Sequence, residues 1–215
     1  MHHRVIAIDG PAASGKSSVA RELARRLGFA YVNSGAMYRA MTWHVLQQHI
    51  GLDDHRKIAD TAQTASVVCD LVNDQSRILI DDRDPSAFLR DDAVNDAVSQ
   101  VSTIAEVRRI LTDKMRDYAL SRDIVVEGRD IGSVVFPDTP YKFYIDASPE
   151  VRLRRRAAEG LLDEIAARDR IDSSRRASPL IISEDAHVID SSNLTIEGVV
   201  GEIIGRLKLK GLATL

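Results

Sequence analysis

The sequence predicts an α/β fold: a five-stranded parallel sheet flanked by helices on both faces. Three observations predict it. Short apolar runs recur along the 215 residues, and stretches with helical periodicity separate them. A glycine-rich segment follows the first run and leads straight into the first helical stretch. No repeat, low-complexity tract or long linker breaks the alternation. Strands separated by helices cannot pair as hairpins, so they pair in parallel, with the helices covering the sheet.

The elements follow in order. Val5-Ile6-Ala7-Ile8-Asp9 reads as a short buried strand. Ser18 to Leu27 reads as a helix, with Ala20, Leu23, Ala24 and Leu27 on one face, and Gly28 is placed to end it. Phe29 to Val32 is the second strand. Ala36 to His49 is a helix whose stripe is Met37, Ala40, Met41, His44 and Val45. Between Asp53 and Asp84 the character changes. Val67 to Cys69 with Leu71 and Val72, then Ile78 to Ile80, suggest a small inserted β-element turning at Asn73-Asp74. Helices follow over 92–99 and 103–120, the second keeping Ile104, Val107, Leu111 and Met115 in register. Ile124 to Glu127, Tyr141 to Asp146 and His187 to Asp190 are the third, fourth and fifth core strands. A helix opens near Pro149, where proline suits a first turn. Another opens at Thr195, with Val199, Ile203, Ile204 and Leu207 inward.

Composition narrows the class. Hydrophobic residues make up 44% of the chain, enough for a full core. The net charge of −3 argues against a general nucleic-acid or membrane-surface binder, which is usually basic. No apolar stretch approaches the length of a membrane span, and the first apolar run is too short for a signal peptide. A single cysteine, Cys69, forms no intrachain disulfide and reads as a small buried hydrophobe. A cytoplasmic enzyme is the expectation. Charge is nevertheless local: arginines crowd the segment from Arg152 to Arg176.

The first chemical signal is Gly10-Pro11-Ala12-Ala13-Ser14-Gly15-Lys16-Ser17, which fits G-x-x-x-x-G-K-[ST]. A strand precedes it and a helix follows, as a phosphate-binding loop requires. Backbone N–H groups of such a loop turn inward around a polyphosphate, and the helix start adds partial positive charge. Lys16 is placed for the β- and γ-phosphates and the Ser17 hydroxyl for Mg²⁺, with Ser18 completing the segment. A nucleoside triphosphate and Mg²⁺ are therefore expected. The second signal is Gly128-Arg129-Asp130-Ile131-Gly132, directly after the third core strand. Ligands of open α/β sheets bind at the carboxyl ends of strands, so this segment, the loop and Asn33-Ser34-Gly35 converge. Glu127 stands where an acid would hold Mg²⁺ through water; a surface carboxylate ending a strand is the plainer reading. Arg129 and Asp130 read either as a structural ion pair or as a second-substrate site. In the latter Arg129 takes a phosphate and Asp130 accepts from the cytosine N4 amino group, which uracil lacks. The third signal is Arg168, Asp172 and Arg175, at i, i+4 and i+7 on one helical face. Alone it reads as a solvated salt-bridge ladder; beside a phosphate loop it can supply cations to a moving phosphoryl group.

Together these residues resemble the bacterial-type cytidylate kinases, nucleoside monophosphate kinases of the P-loop class. The resemblance is carried by Ile8 to Pro11 with Gly15-Lys16-Ser17, by Ser34-Gly35-Ala36-Met37-Tyr38-Arg39, by Ser99 to Ser102, by Val107-Arg108, by the block from Gly128 to Pro137, and by Arg168, Asp172, Arg175 and Pro179-Leu180. It implies transfer of the γ-phosphoryl of ATP to CMP or dCMP. It implies Ser34, Arg108 and Asp130 at the cytosine. Arg39, Arg129 and Arg175 would hold the acceptor phosphate, with Ser99, Arg168 and Asp172 near the sugar. Lys16, Arg129 and Arg168 become the expected catalytic cations, and Arg152, Arg155 or Arg156 would face the ATP phosphates. It further implies one domain, with a core over 1–33, 104–151 and 176–215, a monophosphate-binding insertion over 34–103 and a lid over 152–175. A monomer without nucleic-acid or membrane partners is expected. Ser17-Ser18 stands where many relatives have Gly-Thr or Ser-Thr. Glu127 stands where many have Asp, and the segment between Arg156 and Arg168 is short. Rival readings are a kinase for UMP, AMP or another metabolite, a nucleotide-dependent switch, and a nucleic-acid ATPase. The missing N-K-x-D motif counts against a GTPase switch, and the acidic balance counts against the ATPase.

Overall fold

The computed structural model describes residues 3–158 and 180–212. Its strands are β1 (Val5–Asp9), β2 (Ala30–Asn33), β3 (Val67–Val72), β4 (Gln75–Ile80), β5 (Ile124–Gly128), β6 (Tyr141–Asp146) and β7 (His187–Asp190). Its helices are α1 (Lys16–Leu27), α2 (Ser34–Gln47), α3 (His55–Thr64), α4 (Asp92–Val101), α5 (Ala105–Tyr118), α6 (Pro149–Ala158) and α7 (Ile196–Leu209), with a π-helical turn over Ile131–Val135.

The sheet order is β3-β4-β2-β5-β1-β6-β7. The five expected strands form a parallel block, β2-β5-β1-β6-β7. The sheet nevertheless has seven strands rather than five. The inserted hairpin joins it instead of standing apart, because β2 would otherwise be an open edge. The Tyr31 N–H donates to the Asp74 carbonyl at 2.8 Å, and the Asn33 N–H to Ser76 Oγ at 3.0 Å. Asn73 and Asp74 both have positive φ, 51° and 57°, as a two-residue hairpin turn demands. A second difference lies just before: 55–64 is helical. Its Asp54 cap accepts from the Lys57 N–H, and Ile58 and Ala62 are its buried stripe.

The strand pleat sorts the core. Ala7, Val32 and Val126 face α2, α4 and α5; Ile6, Ile8 and Val125 face α1 and α7. The expected helical stripes are buried: Ala20, Leu23, Ala24 and Leu27 on α1, and Met37, Ala40, Met41, His44 and Val45 on α2. With both faces covered, chemistry is confined to the strand ends. The carboxyl ends of β1, β2 and β5 lie side by side, since β5 pairs with both. No helix among the described residues is long and apolar enough to cross a membrane.

Candidate active site

The loop after β1 has the backbone of an anion cradle. Gly15 lies at φ 89°, and Ala13, a non-glycine residue, lies at φ 58°. Its carbonyls are held by cations. Arg129 Nη1 donates to the Gly10 carbonyl at 2.8 Å, Lys16 Nζ to Pro11 at 3.0 Å and Arg152 Nη1 to Ala12 at 3.3 Å. Arg155 Nη1 donates to Ser14 at 3.2 Å. Lys16 is buried beneath the loop, and Ser18 is exposed on the first turn of α1.

Glu127, 3% exposed, sits between Ile8 and Asn33 in the sheet register. The Ser17 hydroxyl donates to its Oε1 at 2.8 Å and the Tyr31 phenol at 3.4 Å. Burial, with Glu127 nearby, raises the Tyr31 phenol above its ordinary range, so it stays protonated and donating. Ser17 and Glu127 thus present hard oxygen atoms within a hydrogen bond of each other, a donor set that fits Mg²⁺.

The Glu127 carbonyl accepts from Ser34 Oγ at 2.7 Å. Ser34 opens α2, whose cap is Asn33, accepting from the Ala36 N–H at 2.9 Å. Gly128 is required here: a Cβ on it would lie 2.6 Å from Ser34 Oγ and 2.8 Å from the Ile131 side chain. One turn along α2, Arg39 Nη1 donates to the Gly35 carbonyl at 3.4 Å.

Asp130 and Arg108 form a buried ion pair, 3% and 5% exposed. Arg108 Nη1 also donates to the Ser102 carbonyl at 3.1 Å, and its guanidinium stands over the Tyr38 ring at 5.3 Å. Ser102 Oγ donates to the Ser99 carbonyl at 2.9 Å. A continuous chain of contacts therefore runs from Ser99 through Ser102 and Arg108 to Asp130. Arg129 faces the loop on the other side of the same segment.

Asp9 is a participant that motif reading left without a role. It is buried at the end of β1. Its Oδ1 accepts from the Ile131 N–H and its Oδ2 from the Gly132 N–H, both at 2.8 Å. Burial pushes its carboxyl up to about 6, against these two bonds and Lys16. Together with the Arg129–Gly10 bond, it braces the segment after β5 against the loop after β1. An acid ending an otherwise apolar strand was the available signal. Ser191, just past β7, is a second: its Oγ donates to the Ser14 carbonyl at 2.8 Å. Nothing in the local pattern of residues near 191 points toward residue 14.

The structure thus gathers Gly10 to Ser18, Ser34, Arg39, Ser99, Arg108, Glu127, Arg129 and Asp130 along one rim of the sheet. Arg168, Asp172 and Arg175 lie outside the described residues. Arg152 and Arg155 of α6 reach the loop's carbonyls.

Comparison with known proteins gives the same answer. The family profile described as cytidylate kinase matches residues 6–209. The cytidylate kinase of Caldanaerobacter subterraneus subsp. tengcongensis is 44% identical, with 92% of each chain covered. That of Rhodococcus opacus strain B4 is also 44% identical, with 93% of each covered. Among solved structures, a gluconokinase from Sinorhizobium meliloti 1021 superposes with a TM-score of 0.52 at 12% identity, covering 97% of this chain and 93% of that one, which is a likeness of fold. The match over nearly the whole chain, joined to a phosphate loop that shares its sheet rim with a buried Arg108–Asp130 pair, places this chain in the cytidylate kinase family.

Proposed function

We propose that the chain carries out its family's reaction, transfer of the γ-phosphoryl group of ATP to CMP or dCMP, with the residues of this rim divided between donor and acceptor. The observation that carries the division is the position of Glu127-Gly128-Arg129-Asp130. One short segment touches Ser17 through Glu127, the loop through Arg129, and Arg108 through Asp130.

The residues from Gly10 to Ser18 hold the ATP phosphates, with Lys16 the cation nearest the transferred group. Ser17 and Glu127 would hold Mg²⁺, which would supply charge neutralisation on the phosphate oxygens. The acceptor is already an anionic phosphate oxygen, so no general base is required. Catalysis is positioning plus neutralisation of charge by Lys16, Arg129 and Arg168. Asp130 and Arg108 read the base edge together with Ser34. A carboxylate accepts from the cytosine amino group and meets an acceptor in uracil. Arg39, Arg129 and Arg175 hold the acceptor phosphate, with Ser99, Arg168 and Asp172 at the sugar. The acceptor-binding insertion spans 34–103 and the lid 152–175. The family reading also carries a cytoplasmic monomer, which sedimentation at micromolar concentration checks.

The test is ADP release with ATP and Mg²⁺, presenting CMP, dCMP, UMP, AMP and GMP separately. Turnover mainly with CMP and dCMP is expected. Turnover mainly with UMP or AMP would sink the roles given to Asp130 and Arg108.

A further inference from the structure

Arg155 lies on α6, yet its guanidinium is committed to two backbone segments. Nη1 donates to the Ser14 carbonyl at 3.2 Å and to Ser191 Oγ at 3.1 Å; Nη2 donates to the Ser191 carbonyl at 2.8 Å. Ser191 Oγ donates in turn to the same Ser14 carbonyl at 2.8 Å. Ser191 is itself fixed, buried and donating its N–H to the Asp146 carbonyl at 2.8 Å. The Ser14 carbonyl therefore has two donors, both anchored on the ends of β6 and β7.

A trans peptide unit is planar, and its C=O and N–H point in opposite directions. No cis peptide occurs among the described residues. Holding the Ser14 carbonyl on Arg155 and Ser191 directs the Gly15 N–H away from both of them. Gly15 at φ 89° is the residue at which the loop enters α1. A charge-assisted bond to the carbonyl also polarises the peptide and strengthens its N–H as a donor. Arg155 Nη1 lies 3.5 Å from where a Gly15 Cβ would stand.

We infer that Arg155 is a positioning residue for the phosphate donor: it acts through the Ser14–Gly15 peptide, with Ser191 as its partner, and not on a phosphate. It also links α6 to the loop, so the orientation of a phosphate-binding amide depends on the seating of that helix. The inference rests on the loop being the ATP site.

The experiment measures ATP, ADP and CMP affinities of the wild type, R155Q, R155K, S191A and R155Q/S191A by titration, with thermal unfolding alongside. R155Q and R155K are both expected to weaken ATP and ADP by about tenfold, equally for the two nucleotides, and to leave CMP unchanged. Lysine fails because it cannot hold two segments with one fork. S191A is expected to cost about threefold, and to add nothing on top of R155Q, since both act on one carbonyl. Wild-type ATP affinity in R155K, a loss for ATP without one for ADP, or full additivity with S191A would overturn the inference in favour of a direct phosphate contact. Parallel loss of CMP affinity would overturn it in favour of a general structural role. If R155Q does not fold, R155K and S191A with their double variant carry the same comparison. A wild type that does not bind ATP would instead remove the reading of the loop, which is a separate failure.

Discussion

In the division of the site proposed above, the donor half and the acceptor half are built differently. The donor half is one contiguous segment, Gly10 to Ser18, whose working groups are backbone amides and one lysine. The acceptor half draws on α2, the end of α4, α5 and the segment after β5, and its working groups are side chains: Ser34, Arg39, Arg108 and Asp130. A backbone cradle is set by dihedral angles and by what holds its carbonyls, so its failure is one of rate and phosphate affinity. A side-chain site with a buried ion pair couples recognition to stability. Removing a partner strands a charge that the fold has already desolvated.

The largest break in this comparison is Lys16→Ala. Phosphoryl transfer should fall about 1,000-fold or more, since the lost cation neutralises the moving group, while CMP affinity stays unchanged. Coupled ADP release and CMP titration check both halves of that statement. A parallel loss of CMP affinity would dissolve the division.

On the acceptor side, Asp130→Ala should cost about 3–5 kcal/mol of folding stability, because Arg108 is left buried without its carboxylate. Asp130→Asn keeps the shape and turns an acceptor partly into a donor. The ratio of kcat/KM for CMP over UMP should fall about tenfold or more. Denaturant unfolding reads the first variant and paired kinetics the second. An unchanged ratio removes Asp130 from base recognition.

Asp9 sharpens the comparison because it joins the halves. Its carboxyl is raised to about 6 in the fold, above its ordinary value of 3.8. A raised acid takes up its proton more readily when folded. Its titration therefore adds stability as pH falls from about 6 toward 4 and withdraws it as pH rises through 6. The difference amounts to about 3 kcal/mol. Asp9→Asn lacks this term, so its stability deficit against wild type should be largest near pH 4 and shrink by pH 7. A deficit independent of pH would show that the carboxyl does not titrate there. Smallest is Asn33→Ala, which removes the cap of α2 and should cost about 1 kcal/mol with a modest rise in KM for CMP.

How much was legible follows the same divide. The phosphate loop, the strands beside it and the helical stripes are local patterns, and they lie where the residues indicated. Ser34 and Asp130 were indicated by their places at the carboxyl ends of strands, and Arg108 only by resemblance to a family, since no local period relates positions 34, 108 and 130. Helix α3 went unread because only Ile58 and Ala62 mark its buried face. The hairpin was legible as a hairpin, its turn residues being Asn73-Asp74, but not as part of the main sheet. Strand docking onto β2 is a matter of which edge would otherwise lie open.

The sequence by itself determined the parallel α/β plan, the phosphate loop with Lys16 and Ser17, and the acid after the third core strand. Periodicity and a contiguous motif need no partner far along the chain to take effect. Only the tertiary structure decided that the sheet has seven strands, that Asp9 holds the Ile131 and Gly132 amides, and that Arg155 and Ser191 both hold the Ser14 carbonyl. Each of these is a hydrogen bond between groups that are distant in sequence, satisfied in the fold because a buried donor or acceptor must find a partner. Which partner it finds is settled by the packing of strands and helices, which no single segment encodes.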